Sequence, residues 1–308
     1  MLGCIYSKEP VTLRCKIYFD LIPALKVLKV GESLTLNPLE FNRARYGEAE
    51  FVLREALKTI DKACGANHRD SLIILDALGQ VLTDTGDFTE AGRFLERALS
   101  ICEGEFGPHH KETAARLHRL AIASRDDFAT RQRLFDRALS IYEKDEDHPD
   151  TANVMMNKAS FLEMHGDLTG ARSLNERALT IQQRVLGPMH EDPLALKRRF
   201  ASLLERLGDL ADAKSLRECL AAYEQTKDAS DTPGWSDRTD LARLLLGTGD
   251  PIRAVIVGRA ALAVAGRYGV PEDSARVTAD ALHALGRTDE ASAMREKYGI
   301  TPEVPSTS

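Results

Sequence analysis

The chain has 308 residues, with 47 acidic against 41 basic side chains, a formal net charge of −6 and a single Trp. This balance disfavours nucleic-acid binding, which draws its sequence-independent affinity from clustered Lys and Arg. No window approaches the roughly 18 uninterrupted apolar residues of a membrane span, and five cysteines without a Cys-x-x-Cys pair argue against a disulfide framework or zinc site and for a reducing, cytoplasmic compartment.

In sequence order, Val11, Leu13, Cys15, Ile17 and Phe19 alternate with Thr12, Arg14, Lys16 and Tyr18, a period of two that reads as a strand. Gly31 and Pro38 interrupt any helix that would precede a turn at Ala44. Residues 1–40 are therefore expected to form an irregular N-terminal cap or a remnant of another domain, with no apolar leader because Lys8, Glu9 and Pro10 fall where one would run.

From there to residue 298 the sequence repeats itself. Gly86-Asp87-Phe88 followed by Glu96-Arg97-Ala98-Leu99 returns as Gly166-Asp167-Leu168 with Glu176-Arg177-Ala178-Leu179, then at Gly208-Asp209 and Gly249-Asp250, with weaker copies at Ala44, Asp126 and Gly286. Turn positions are spaced 37 to 42 residues apart. Seven before the turn stand Gly79, Ala159, Ala201, Ala242 and Ala279, with Ala121 in the copy whose turn is shortened; five after come Ala49, Ala91, Ala171, Ala213, Ala254 and Ala291; twelve after come Ala56, Ala98, Ala138, Ala178 and Ala261. The large partners are expected eight after, at Val52, Phe94, Leu134, Leu174, Leu216, Val257 and Met294. Small against large at helical spacing is what two antiparallel helices need to pack ridge into groove, so each copy is a predicted helical hairpin. The turn Gly suits the left-handed residue that ends a helix and the following Asp suits an N-cap. A second punctuation, Gly65-Ala66-Asn67-His68, Gly107-Pro108-His109-His110, Glu146-Asp147-His148-Pro149 and Gly187-Pro188-Met189-His190, makes those histidines loop and capping residues. Thr301 to Ser308 has no periodicity, so 299–308 reads as a disordered tail.

These residues resemble the tetratricopeptide repeat, and the long period with Gly-Pro-x-His linkers resembles the roughly 42-residue subtype of kinesin light chains and many bacterial proteins. The resemblance, covering residues 41–298, implies an all-α, right-handed superhelical solenoid whose first helices line a concave groove, and a protein or peptide partner. No heptad segment of the kind that binds a motor heavy chain precedes the repeats.

Enzyme motifs are missing: no Gly-x-Ser-x-Gly, Walker loop, His-Glu-x-x-His or Gly-x-Gly-x-x-Gly occurs, so no catalytic residue, cofactor or metal is expected. The acidic run Asp145, Glu146, Asp147 and Asp150 lacks the spaced oxygens of a calcium loop, and Trp235 is expected to pack rather than stack on a ligand. In the resembling family, residues two and three before the small position face the groove. Here they include His118, Arg119, Asn157, Arg198 and Arg199, with Ser160 and Ser202 one after it. Asn157 matches one Asn of the family's Leu-Asn-Asn-Leu-Ala motif, whereas Met156 replaces the other. Arg forks bind carboxylates and an Asn amide holds a peptide backbone. The expected function is a non-enzymatic interaction scaffold whose groove takes an acidic peptide or the C-terminus of a polypeptide. The same arginines would instead be surface charges if they pair with Glu205, Asp76 or Asp192. The competing function is a regulatory or docking module of a signalling enzyme whose catalytic domain lies on another polypeptide, motivated by the strand-like residues 11–19.

Overall fold

The computed structural model describes residues 38–125, 128–144, 149–224, 235–266 and 271–300. The alternating segment 11–19, Cys4, Cys15, the turn at Asp126, the acidic residues 145–148 and the tail from 301 lie outside them. The helices are α1 (Pro38–Cys64), α2 (Leu72–Thr85), α3 (Phe88–Phe106), α4 (Lys111–Ala123), α5 (Phe128–Tyr142), α6 (Pro149–Met164), α7 (Leu168–Leu186), α8 (Glu191–Leu207), α9 (Leu210–Glu224), α10 (Trp235–Gly247), α11 (Pro251–Ala265), α12 (Glu272–Ala284) and α13 (Thr288–Tyr298), with one 3-10 turn at Arg69–Ser71. The described residues contain no strand. They fall into two compact units, 1–157 and 158–308, divided within α6.

In the first unit each helix from α1 to α5 packs on the next, and α2 also touches α4. In the second, α7 to α13 do the same, with α10 against α12. This is the neighbour-only contact pattern of an all-α repeat array. One expected feature differs: α1 runs unbroken through residue 44, so no turn divides the first copy and only its second helix has the repeat register.

The punctuation acts as the residue types require. Gly86, Gly166, Gly208, Gly249 and Gly286 all have φ between 74° and 90°, the left-handed region that a side chain resists. Asp87, Asp167 and Asp250 then accept from the N–H groups of Glu90, Gly170 and Arg253 at 3.1, 2.8 and 3.2 Å. At the other linker, the Nδ1 atoms of His68, His110 and His190 accept from the N–H two residues on, at 3.2 to 3.3 Å. At the far end Gly299 is left-handed and Ile300 is buried, so the packed structure extends two residues past 298.

The alanines are where the helices meet: Ala49, Ala91, Ala98, Ala121, Ala138, Ala159, Ala171, Ala178, Ala201 and Ala242 have no exposed surface. The large partners are shifted by one. Of the residues eight after the turn only Leu174 is buried, while nine after it Leu53, Leu95 and Phe135 are nearly inaccessible. Five, nine and twelve are one helical face, spaced i, i+4 and i+7; eight lies at its edge. A Cβ on Gly79 would stand 2.5 Å from the Leu95 side chain, which is why that crossing takes glycine.

Ala178→Phe should overpack its crossing and cost about 1 to 3 kcal/mol. An unchanged urea midpoint for this variant would show that residue 178 lies outside a helix interface.

Candidate functional site

Each unit carries candidate residues on the first helices of its hairpins. His118, Arg119 and Asn157 belong to the first unit, and Ser160, Arg198, Arg199 and Ser202 to the second.

In the first unit, His118 sits half-buried on α4, its ring tilted against Phe135 with centroids 6.3 Å apart. Its Nε2 lies 2.9 Å from Asn157 Nδ2. Burial pushes its pKa down to about 4; the Arg119 charge adds to the depression and Asp150 opposes it. His118 is therefore neutral near pH 7, so it is not part of a positive stretch, and the Asn157 amide donates to its ring nitrogen. Arg119 is exposed and makes no hydrogen bond or ion pair among the described residues. It flanks a small crevice with Gly79, Gln80, Thr83, Leu95 and Ile122. Asp76 is taken by Arg116 at 2.8 Å rather than by Arg119.

In the second unit the two adjacent arginines differ sharply. Arg198 forks onto Asp237, with Nε 2.8 and 3.0 Å from its two oxygens and a terminal nitrogen 2.7 Å from one of them. The Asp237 side chain is only 3% exposed, so it requires this counter-ion, and Arg198 is consumed as a structural partner. Arg199 is exposed and donates to the Ser160 hydroxyl, a neutral acceptor that leaves its charge uncompensated. Ser202 accepts from Arg217 at 3.0 Å and donates to the Arg198 carbonyl at 3.3 Å.

Arg217 is the residue that sequence reasoning missed. It stands nine after its turn, where Leu53, Leu95 and Phe135 stand in earlier copies, and is 4% exposed. It ties Glu205 and Asp240, both at 3.0 Å, to the floor of a cavity of about 420 Å³ also lined by Ser202, Arg243 and Thr248. The signal was the i, i+4, i+7 face itself, which reaches residue 217 once position nine is included. Glu205 thus does pair with an arginine, but not one of the groove candidates. Among the described residues no group of three or more His, Cys, Asp or Glu is placed to hold a metal ion, and no helix is long and apolar enough to cross a membrane.

Helical hairpins stacked neighbour on neighbour, with glycine turns, alanine crossings and capped linkers, define a helical-repeat protein. The family model of the tetratricopeptide repeat matches residues 72–144 and 150–225, and over those residues the chain carries tetratricopeptide repeats. None of the curated proteins matches it. Among solved structures it is similar to a signal transduction ATPase with a tetratricopeptide repeat sensor from Pyrococcus horikoshii, at 13% identity over 93% of this chain and 42% of that one, with a TM-score of 0.64. The apo quorum sensor NprR from B. thuringiensis is 12% identical over 93% of this chain and 76% of that one, with a TM-score of 0.56. A kinesin light chain-like repeat structure from Podosopora anserina is 19% identical over 75% and 95% of the two chains, with a TM-score of 0.42. Such repeats form protein–protein interaction scaffolds.

Proposed function

We propose that this protein is a non-enzymatic, cytoplasmic adaptor whose first helices, within each unit, bind extended peptide segments carrying carboxylates. The observation that supports this reading is the state of two guanidinium groups. Arg119 in the first unit makes no hydrogen bond or close ion pair among the described residues, with Asp76 feeling its charge only at longer range, and Arg199 in the second has only a hydroxyl. Both are exposed on first helices, whereas other arginines are paired with acidic residues of a neighbouring repeat, as Arg54 is with Glu90, Arg97 with Asp61 and Arg253 with Glu218. A guanidinium in no close ion pair presents its fork to an incoming carboxylate with no such pair to break. Asn157 on α6 and Ser202 on α8 add neutral polar groups on first helices, and Arg198 is withdrawn from the binding role by Asp237.

A peptide-array screen on the purified protein tests the proposal. The best ligands should be acidic, and their binding should weaken as salt rises. Arg199→Ala and Arg119→Ala should each lose a charge-assisted contact worth about 1.5 to 3 kcal/mol, roughly a ten- to hundredfold drop in affinity. Arg133→Ala, on the second helix α5 and bonded within its own helix, should bind as wild type does. Basic or apolar ligands, or unchanged binding by both groove variants, would remove the acidic-peptide reading and leave a scaffold of other specificity.

A further inference from the structure

Position nine after the turn is a packing position in the first unit, where Leu53, Leu95 and Phe135 fill it. In α9 the same position holds Arg217, whose guanidinium donates to Glu205, Asp240 and the Ser202 hydroxyl, each at 3.0 Å. Beside it, among α8, α9 and α10, lies the cavity of about 420 Å³, lined entirely by residues of the second unit. That volume falls within the range of small-ligand sites, roughly 300 to 1,000 Å³.

The lining carries charge of both signs with hydrogen-bonding capacity to spare. Glu205 gives one carboxylate oxygen to Arg217, and its other oxygen makes no hydrogen bond among the described residues. Arg243 gives one terminal nitrogen to Asp240 at 2.7 Å, keeps Nε and its second terminal nitrogen uncommitted, and leaves 57% of its side chain in solvent. Arg217 holds both carboxylates in place, so neither has to be ordered when a ligand arrives. Glu205 lies in the last turn of α8, and Gly247 at the cavity wall ends α10. The partial negative charge of these helix C-termini adds to the attraction of Glu205 for a cation. Leu210 and Leu244 supply apolar surface to the same cavity.

We propose that this cavity binds a small zwitterion with an apolar side chain, a free α-amino acid or a dipeptide. Its ammonium sits on Glu205, its carboxylate on Arg243, and its side chain against Leu210 and Leu244. A simple anion is repelled by Glu205 and Asp240 and a simple cation by Arg217 and Arg243, so a ligand carrying both charges is the one the lining matches. The site does not rest on the peptide-binding reading, because neither Arg119 nor Arg199 lines it.

Isothermal titration calorimetry on the full-length protein tests the proposal with four probes: L-leucine, leucyl-leucine, isocaproate, which lacks the ammonium, and isoamylamine, which lacks the carboxylate. At least one zwitterion should bind about tenfold or more tighter than either single-charge analogue, and comparing leucine with leucyl-leucine identifies which of the two sizes the cavity takes. Glu205→Gln keeps an acceptor for Arg217 and removes the charge; it should weaken the zwitterion about tenfold without weakening isocaproate. Arg243→Gln should weaken the zwitterion by a similar factor. The proposal is overturned if neither zwitterion binds wild type at concentrations up to about 10 mM, or if both bind no tighter than the analogues. Unchanged zwitterion affinity in both variants, with wild-type circular dichroism, also overturns it. Should either variant not fold, the comparison of the four probes on wild type decides.

Discussion

Phe135→Ala should lower the stability of the first unit by about 3 to 5 kcal/mol, the range for removing a fully buried aromatic and leaving its cavity. Phe135 is 1% exposed, stands nine after its turn and packs beside the His118 ring. The same register position two copies on is held by Arg217, and Arg217→Met should be nearly neutral by comparison. Replacing the buried guanidinium by an apolar side chain of similar length removes its desolvation penalty along with the pairing. Glu205 and Asp240 keep about a third of their surface in solvent and rehydrate once released. Urea unfolding of both variants is the measurement. A cheap Phe135→Ala would mean that position nine is not the packing position. A costly Arg217→Met would mean that the ion pairs, rather than the packed volume, hold the α8–α9–α10 junction.

His118 should make the first unit lose stability as pH falls. Its folded pKa of about 4 lies below the ordinary 6.5, mainly because burial disfavours the imidazolium. Between those values the unfolded state binds a proton that the folded state refuses, so stability drops as pH goes from about 6.5 to about 4 and this contribution levels off below that. The loss amounts to about 2 to 3 kcal/mol, allowing for the ring's partial exposure. His118→Gln removes the titration while keeping a polar side chain near Asn157. The difference between wild type and variant in urea midpoint at pH 7 and pH 4.5 isolates this residue from the carboxylates that titrate in both. Identical pH dependence in the two proteins would show that His118 is as readily protonated in the folded state as in the unfolded one.

Much of the architecture was legible because its causes are local. Gly86, Gly166, Gly208, Gly249 and Gly286 mark turns since a positive φ selects glycine whatever surrounds it. Ala98 and Ala178 mark crossings because a zero-clearance contact admits only a small side chain. His68, His110 and His190 recur at one linker position because an N-cap is a relation between residues two apart. The large partner of each crossing was misplaced by one residue. Reading by hydrophobicity passes over Asn175 and Arg217, which occupy the buried position in two copies. The break expected at Ala44 was inferred from the repeat alone, and α1 runs through it.

What the sequence determined by itself was the helical-hairpin repeat, its register of turns and small residues, and the set of polar side chains on the first helices. Which of those side chains keep a charge to offer was decided only in three dimensions. Arg198 and Arg199 are chemically identical neighbours, yet one is locked to Asp237, 39 residues away, and the other meets only a hydroxyl. His118 is neutral near pH 7 because the α4–α5 packing half-buries its ring against Phe135. Charge state and pairing depend on burial and on distances between groups remote in sequence, and a sequence pattern fixes residue types and spacings but neither of those quantities.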